Sequence, residues 1–173
     1  PSVDFKSFSK SLLLLMKPRV MSLVIFTCAV GYLTSNANID TLNAIIGIFL
    51  VALGAGASGC LNMWYESDID ALMTRTCLRP IPAGKIKKSH ALIYGIFLTI
   101  FSVISLNYFA NTLSAFLLLS TILFYLFVYT IWLKMKTAQN IVIGGASGAL
   151  PPVIGWAIAT GSVSIEPIIM SQC

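Results

Sequence analysis

Asn62-Met-Trp-Tyr-Glu66-Ser-Asp68-Ile-Asp70-Ala-Leu-Met-Thr-Arg75-Thr-Cys-Leu-Arg79-Pro80-Ile-Pro82 is a polar island in a chain that is otherwise mostly apolar, and it holds three of the six acids. On a helix, Asn62, Glu66 and Asp70 recur at i, i+4 and i+8 and project from nearly one face, drifting about 40° per step. Two carboxylates about 6 Å apart at an effective dielectric near 20 repel by about 3 kcal/mol, so this spacing asks for a cation between them. Two carboxylates plus an amide oxygen are hard ligands that suit Mg²⁺, an ion that keeps part of its shell for water and substrate phosphates. Arg75 and Arg79 follow, where they would meet such phosphates. Asp68 lies about 200° around the helix from Glu66 and is expected to serve a secondary contact.

The surrounding sequence decides the class. Hydrophobic residues make up 57% of the 173 and charged residues 10%, with a mean hydropathy of +0.89. That balance is far from a soluble domain and predicts an all-α, polytopic transmembrane helix bundle forming a single membrane domain over 1–173. The net charge of +5 does not indicate nucleic acid, because the eleven Lys and Arg fall in three clusters between apolar runs. Cys28, Cys60, Cys77 and Cys173 show no metal or disulfide spacing and read as reduced.

Apolar runs predict spans at about 20–34, 42–61, 90–106, 113–133 and 141–160, with a substrate-binding loop at 63–89. Residues 1–16, with Lys6 and Lys10, are too short to span and should lie at the interface. All the basic residues lie in the N-terminal segment, the 63–90 region or at Lys134 and Lys136. The positive-inside rule therefore places the N-terminus and the acidic loop in the cytoplasm. Gly54-Ala-Gly56-Ala-Ser-Gly59 matches a dinucleotide fingerprint by letter, but it lies inside a membrane helix, so its small residues are expected to serve packing. Pro151-Pro152 should break the fifth helix where protein or a cavity faces it. His90, without partner ligands, reads as an interfacial residue, and Phe124, Tyr125, Phe127, Tyr129 and Trp132 as packing that would also wall a greasy substrate.

Asn62-x3-Glu66-x3-Asp70 followed by Arg75-Thr and Arg79-Pro resembles the first acidic motif of the UbiA superfamily of intramembrane prenyltransferases. More narrowly, the run Leu15 to Thr27, Asn62-Met-Trp-Tyr with Asp68-Ile-Asp70, Arg79-Pro-Ile-Pro82 and the run Asn140 to Trp156 are similar to the haem O synthases, the protohaem IX farnesyltransferases. The likeness covers about residues 12–165. It implies transfer of a farnesyl group from farnesyl diphosphate to a vinyl group of haem b, with haem A synthase or oxidase assembly proteins as partners in the bilayer. It also implies Mg²⁺ held by Asn62, Glu66 and Asp70, with Glu66 and Asp70 catalytic and Arg75, Arg79 and Lys134 on the diphosphate. The location implied is a bacterial inner (plasma) membrane, or alternatively the mitochondrial inner membrane.

This sequence departs from the family pattern in three places. Glu66 stands where the motif usually has Asp, which lengthens the arm by one methylene, and Ala138 stands where relatives often have Pro. The family's second acidic region has no counterpart up to Cys173, so the chain is expected to be an N-terminal portion. Rival readings are a UbiA-type transferase for a quinone precursor, a membrane transporter and an inactive truncated fragment. Asp68-Ile-Asp70 and the run Asn140 to Trp156 speak against the first of these.

Overall fold

The computed structural model describes residues 5–35, 41–74, 76–133 and 148–162. Among them the chain is all helical: α1 (Phe5–Leu15), α2 (Pro18–Thr34), α3 (Thr41–Leu72), α4 (Lys88–Phe109), α5 (Thr112–Phe124), a π-helical continuation of α5 (Tyr125–Leu133) and α6 (Leu150–Thr160). Arg75, Lys134, Lys136, Ala138, Asn140, residues 141–147 of the expected fifth span and Cys173 lie outside the described residues.

The central element is α3, which packs on α1, α2, α4, α5, the π-helical segment and α6. At 32 residues it is about 48 Å long, well beyond a hydrocarbon core of about 30 Å. The extra length is the polar island itself. The helix does not stop at residue 61 but runs on to Leu72, so the start of the expected 63–89 loop is three further turns of α3. These turns persist because Asn62, Glu66 and Asp70 are buried on one face while Asp68 points away from it.

By length and composition, α3 and α4 can each cross a membrane, and a third crossing results if residues 8–15 and α2 form one span bent by 50°. The apolar segments Thr112–Val128 and Leu150–Thr160 are shorter. At the bend, Lys17 has φ 52° and ψ 69°, the left-handed region that a non-glycine residue rarely enters. Pro18 at the first turn of α2 disfavours the right-handed helical conformation for the residue before it, which ends α1. Ahead of Lys17, Leu15 is fully buried and packs with Cys60 of α3 and Ile86 beyond it, while Leu13 and Leu14 are exposed.

Close backbone approaches hold the bundle together. A Cβ on Gly31 would collide with the Pro152 carbonyl, and one on Gly155 with the Cys28 carbonyl, so α2 and α6 pack backbone to backbone in antiparallel sense. Within the fingerprint-like run, a Cβ on Gly54 would sit 2.9 Å from Leu118 and one on Gly56 2.8 Å from Met16, which is packing between helices. Pro151 and Pro152 occupy the first turn of α6, where a missing N–H costs no intrahelical bond. Asn111 caps α5 by accepting from Ser114 N–H at 2.8 Å, and its amide donates to the Ala157 carbonyl at 2.7 Å, tying α5 to α6.

Candidate active site

Asn62, Glu66 and Asp70 are 2, 4 and 4% exposed and share one face of α3. Buried carboxylates are tolerated only when paired and hydrogen-bonded. The pairing comes from Arg79, whose Nη1 lies 2.6 Å from Asp70 Oδ2 and 3.8 Å from Glu66 Oε2. The spacing calls for a cation between the two acids, and a guanidinium nitrogen occupies that position.

Arg79 is delivered by a compact turn after α3. Thr76 Oγ1 donates to the Asp70 carbonyl at 3.0 Å, and the N–H groups of Ala83 and Lys85 donate to the carbonyls of Arg79 and Pro80. Gly84, at φ 70°, takes the left-handed position of this turn. Ile81 and Ile86 anchor it by packing into the cluster of Leu15, Cys60, Met63 and Ala91. The Arg-Pro-Ile-Pro motif therefore works as a bracket, with isoleucine holding the turn down while arginine reaches the acids.

Asn62 is held on both sides. Its Oδ1 accepts from Lys17 Nζ at 2.8 Å, and its amide nitrogen donates to Glu66 Oε1 at 2.6 Å and to Thr130 Oγ1 at 3.2 Å. Thr130 in turn donates to the Tyr125 carbonyl five residues back, at 3.1 Å, the register of the π-helical segment. Sequence reasoning did not select Lys17 or Thr130. Lys17 stood in plain view before Pro18, but its reach to Asn62 depends on a left-handed backbone; Thr130 sits inside an apolar run and carries no signal of its own.

Asp68 belongs elsewhere, on the polar turns of α3 that follow its apolar stretch. Its side chain is 82% exposed and accepts from Lys88 Nζ at 2.7 Å. That ammonium holds its carboxyl below the usual carboxylate range, first through the hydrogen bond and then through its charge. His90 is exposed. Arg75 and Lys134, expected on the diphosphate, lie outside the described residues.

An apolar cavity of about 390 Å³ lies between α2, α3, α5 and α6. Val24, Val51, Leu118, Ile122 and Ile154 wall it, and Lys17, Ser58 and Gly59 stand at the end nearest Asn62. Tyr125, expected as packing or as the wall of a greasy site, lines it as well. Lys17 thus connects the apolar chamber to Asn62 on the buried acidic face.

The two carboxylates suit a hard divalent cation, while the Asn62 amide turns its nitrogen to Glu66 and its oxygen to Lys17. One Arg79 nitrogen within 4 Å of both carboxylates shows that the two converge on a single cation. Among the described residues no cluster of three or more His, Cys, Asp and Glu side chains is placed to hold a metal. Such an ion would rest on Glu66, Asp70 and an amide oxygen and draw its remaining ligands from water or phosphate, as Mg²⁺ commonly does.

Comparison with known proteins places the chain in a family. Residues 23–172 match the UbiA prenyltransferase family. The protoheme IX farnesyltransferase of Pelagibacter ubique is 70% identical over 166 residues, covering 96% of this chain and 54% of that protein. Protoheme IX farnesyltransferase 2 of Mesorhizobium japonicum is 58% identical over 156 residues, covering 90% of this chain and 50% of that protein. The chain spans about half the length of these curated relatives. Among solved structures, a UbiA homolog from Archaeoglobus fulgidus bound to DMAPP and Mg²⁺ superposes with a TM-score of 0.77 at 20% identity, covering 93% of this chain and 58% of that one. The same homolog bound to GPP and Mg²⁺ gives 0.75. At that identity the likeness is one of fold, and it accords with the all-helical bundle. From the family match over residues 23–172, this chain belongs to the UbiA prenyltransferase family.

Proposed function

We propose that this chain forms the prenyl-diphosphate site of a protohaem IX farnesyltransferase, which transfers a farnesyl group from farnesyl diphosphate to a vinyl group of haem b to make haem O. The observation that carries this reading is Lys17, which lines an apolar cavity of about 390 Å³ and donates to Asn62 on the face of α3 that carries the buried Glu66 and Asp70. A prenyl diphosphate has the same two-part character, an anionic head and a greasy tail. The high identity to the Pelagibacter and Mesorhizobium farnesyltransferases supports the choice of farnesyl and haem substrates.

Asn62, Glu66 and Asp70 would hold Mg²⁺, with Asp68 outside the site. When bound, the ion supplies Lewis-acid polarisation of the diphosphate oxygens. Arg79, with Arg75 and Lys134, neutralises charge that grows on the diphosphate as the allylic C–O bond breaks. Preorganised cations of this kind stabilise the transition state because they need no reorganisation during the reaction. The cavity walls Val24, Val51, Leu118 and Ile154 keep water from the allylic cation until the vinyl group attacks it, and the cation this leaves beside the haem ring is quenched by water with loss of a proton.

An integral membrane setting follows from the apolar helices. The distribution of Lys and Arg supports a cytoplasmic N-terminus and acidic face, and the bacterial relatives support the inner membrane. Membranes containing the protein, supplied with farnesyl diphosphate, haem b and Mg²⁺, should yield haem O by mass spectrometry. No haem O, together with solute flux into vesicles, would overturn the assignment in favour of a transporter.

A further inference from the structure

We propose that Lys17 is a positioning residue: it latches Asn62 with the amide oxygen turned away from the metal seat, and releases it when a diphosphate takes over its ammonium. The inference rests on the prenyl-diphosphate reading of the site and adds an order of events to it.

The amide orientation is dictated by its neighbours. A lysine ammonium only donates and a carboxylate only accepts, so an Asn62 amide lying 2.8 Å from Lys17 Nζ and 2.6 Å from Glu66 Oε1 has one orientation, oxygen to Lys17 and nitrogen to Glu66. Thr130 Oγ1 takes a further bond from the same nitrogen. A metal between Glu66 and Asp70 needs the oxygen and is repelled by the N–H groups. Asn62 therefore becomes a ligand only after its amide turns, and Lys17 holds it against turning.

Lys17 is built for this reach. Its left-handed backbone at the α1–α2 bend, followed by Pro18, sets the direction in which the side chain leaves. Its stem runs over Gly59, where even a Cβ would come within 3.5 Å of Lys17 Cδ. It also lines the end of the apolar cavity nearest Asn62. A prenyl tail lying in that cavity brings its anionic head to this ammonium. A phosphate oxygen is a stronger partner for an ammonium than a neutral amide, because the bond then joins two full charges. The exchange frees Asn62, so the diphosphate makes one metal ligand available, and Arg79, which stands between Glu66 and Asp70, moves onto the diphosphate as the metal enters.

The test uses Mn²⁺ as the probe, followed by electron paramagnetic resonance on the purified membrane protein without diphosphate. Lys17→Met is expected to bind Mn²⁺ at least fivefold more tightly than the parent, whereas Lys17→Arg should stay within twofold of it. In an Asn62→Ala background the gain from Lys17→Met should vanish, because no amide remains to be released. Lys17→Met should also raise the KM for farnesyl diphosphate at least tenfold. Unchanged or weaker Mn²⁺ binding by Lys17→Met overturns the latch, and so does a gain that persists without Asn62, since that would be bulk electrostatics. A parent that binds no Mn²⁺ even with a farnesyl thiodiphosphate would overturn the site reading itself. If Lys17→Met does not fold, Lys17→Gln is read by the same criteria.

Discussion

Arg79 Nη1 stands 2.6 Å from Asp70 Oδ2, so that a residue from the turn after α3 neutralises an acid buried on α3. The ion pair joins the two ends of the polar island and makes the turn part of the site. Its worth lies less in net stability than in what is left behind when one partner is removed, since breaking a buried pair strands the other charge.

Asp70→Asn is expected to abolish Mg²⁺-dependent binding of farnesyl diphosphate, with at least a hundredfold loss of affinity and intact membrane insertion. Asp68→Asn should leave the same affinity unchanged, because its carboxylate is exposed and engages Lys88. Equilibrium binding of labelled diphosphate with and without Mg²⁺ separates the two. Equal behaviour of the two variants would refute the division of the acids.

Arg79→Met should lower stability by about 2 kcal/mol, less than a fully buried pair because the arginine side chain is 29% exposed. The Tm should fall accordingly. Adding Asp70→Asn should recover part of the loss, since it removes a stranded charge, and a double-mutant cycle on thermal unfolding in detergent measures that coupling. Additive losses would mean that the pair contributes nothing as a pair.

Gly155→Val places methyl groups where the Cys28 carbonyl lies, and Gly31→Val does the same against Pro152. Overpacking of this kind costs about 1–3 kcal/mol, and more where the obstacle is backbone. Each variant should show a lower Tm and poor insertion yield. Gly148→Ala, whose Cβ would have nothing within 4 Å, should show neither.

Ala55→Phe fills the apolar cavity from the α3 side. The expected result is at least a tenfold fall in kcat/KM for farnesyl diphosphate and a smaller fall for the shorter geranyl diphosphate, read in parallel assays. Equal losses for both would show that the tail does not lie along this wall.

Much of this was legible from the sequence by itself. Long apolar runs and sparse charge determined an all-helical membrane bundle, because a backbone in lipid must satisfy its own hydrogen bonds. The i, i+4, i+8 spacing determined that Asn62, Glu66 and Asp70 share a face and that Asp68 leaves it, because helical geometry is local. The same spacing showed that the acids need a cation, since like charges at that separation repel. Tertiary structure alone decided which cation stands there in the protein's own chain. Arg79 reaches the acids only because Ile81 and Ile86 anchor its turn on Leu15 and Cys60, and Lys17 reaches Asn62 only through the left-handed bend between α1 and α2. Contacts across 45 residues, like that of Lys17 with Asn62, depend on how helices lie against one another, and no periodicity along the chain encodes that.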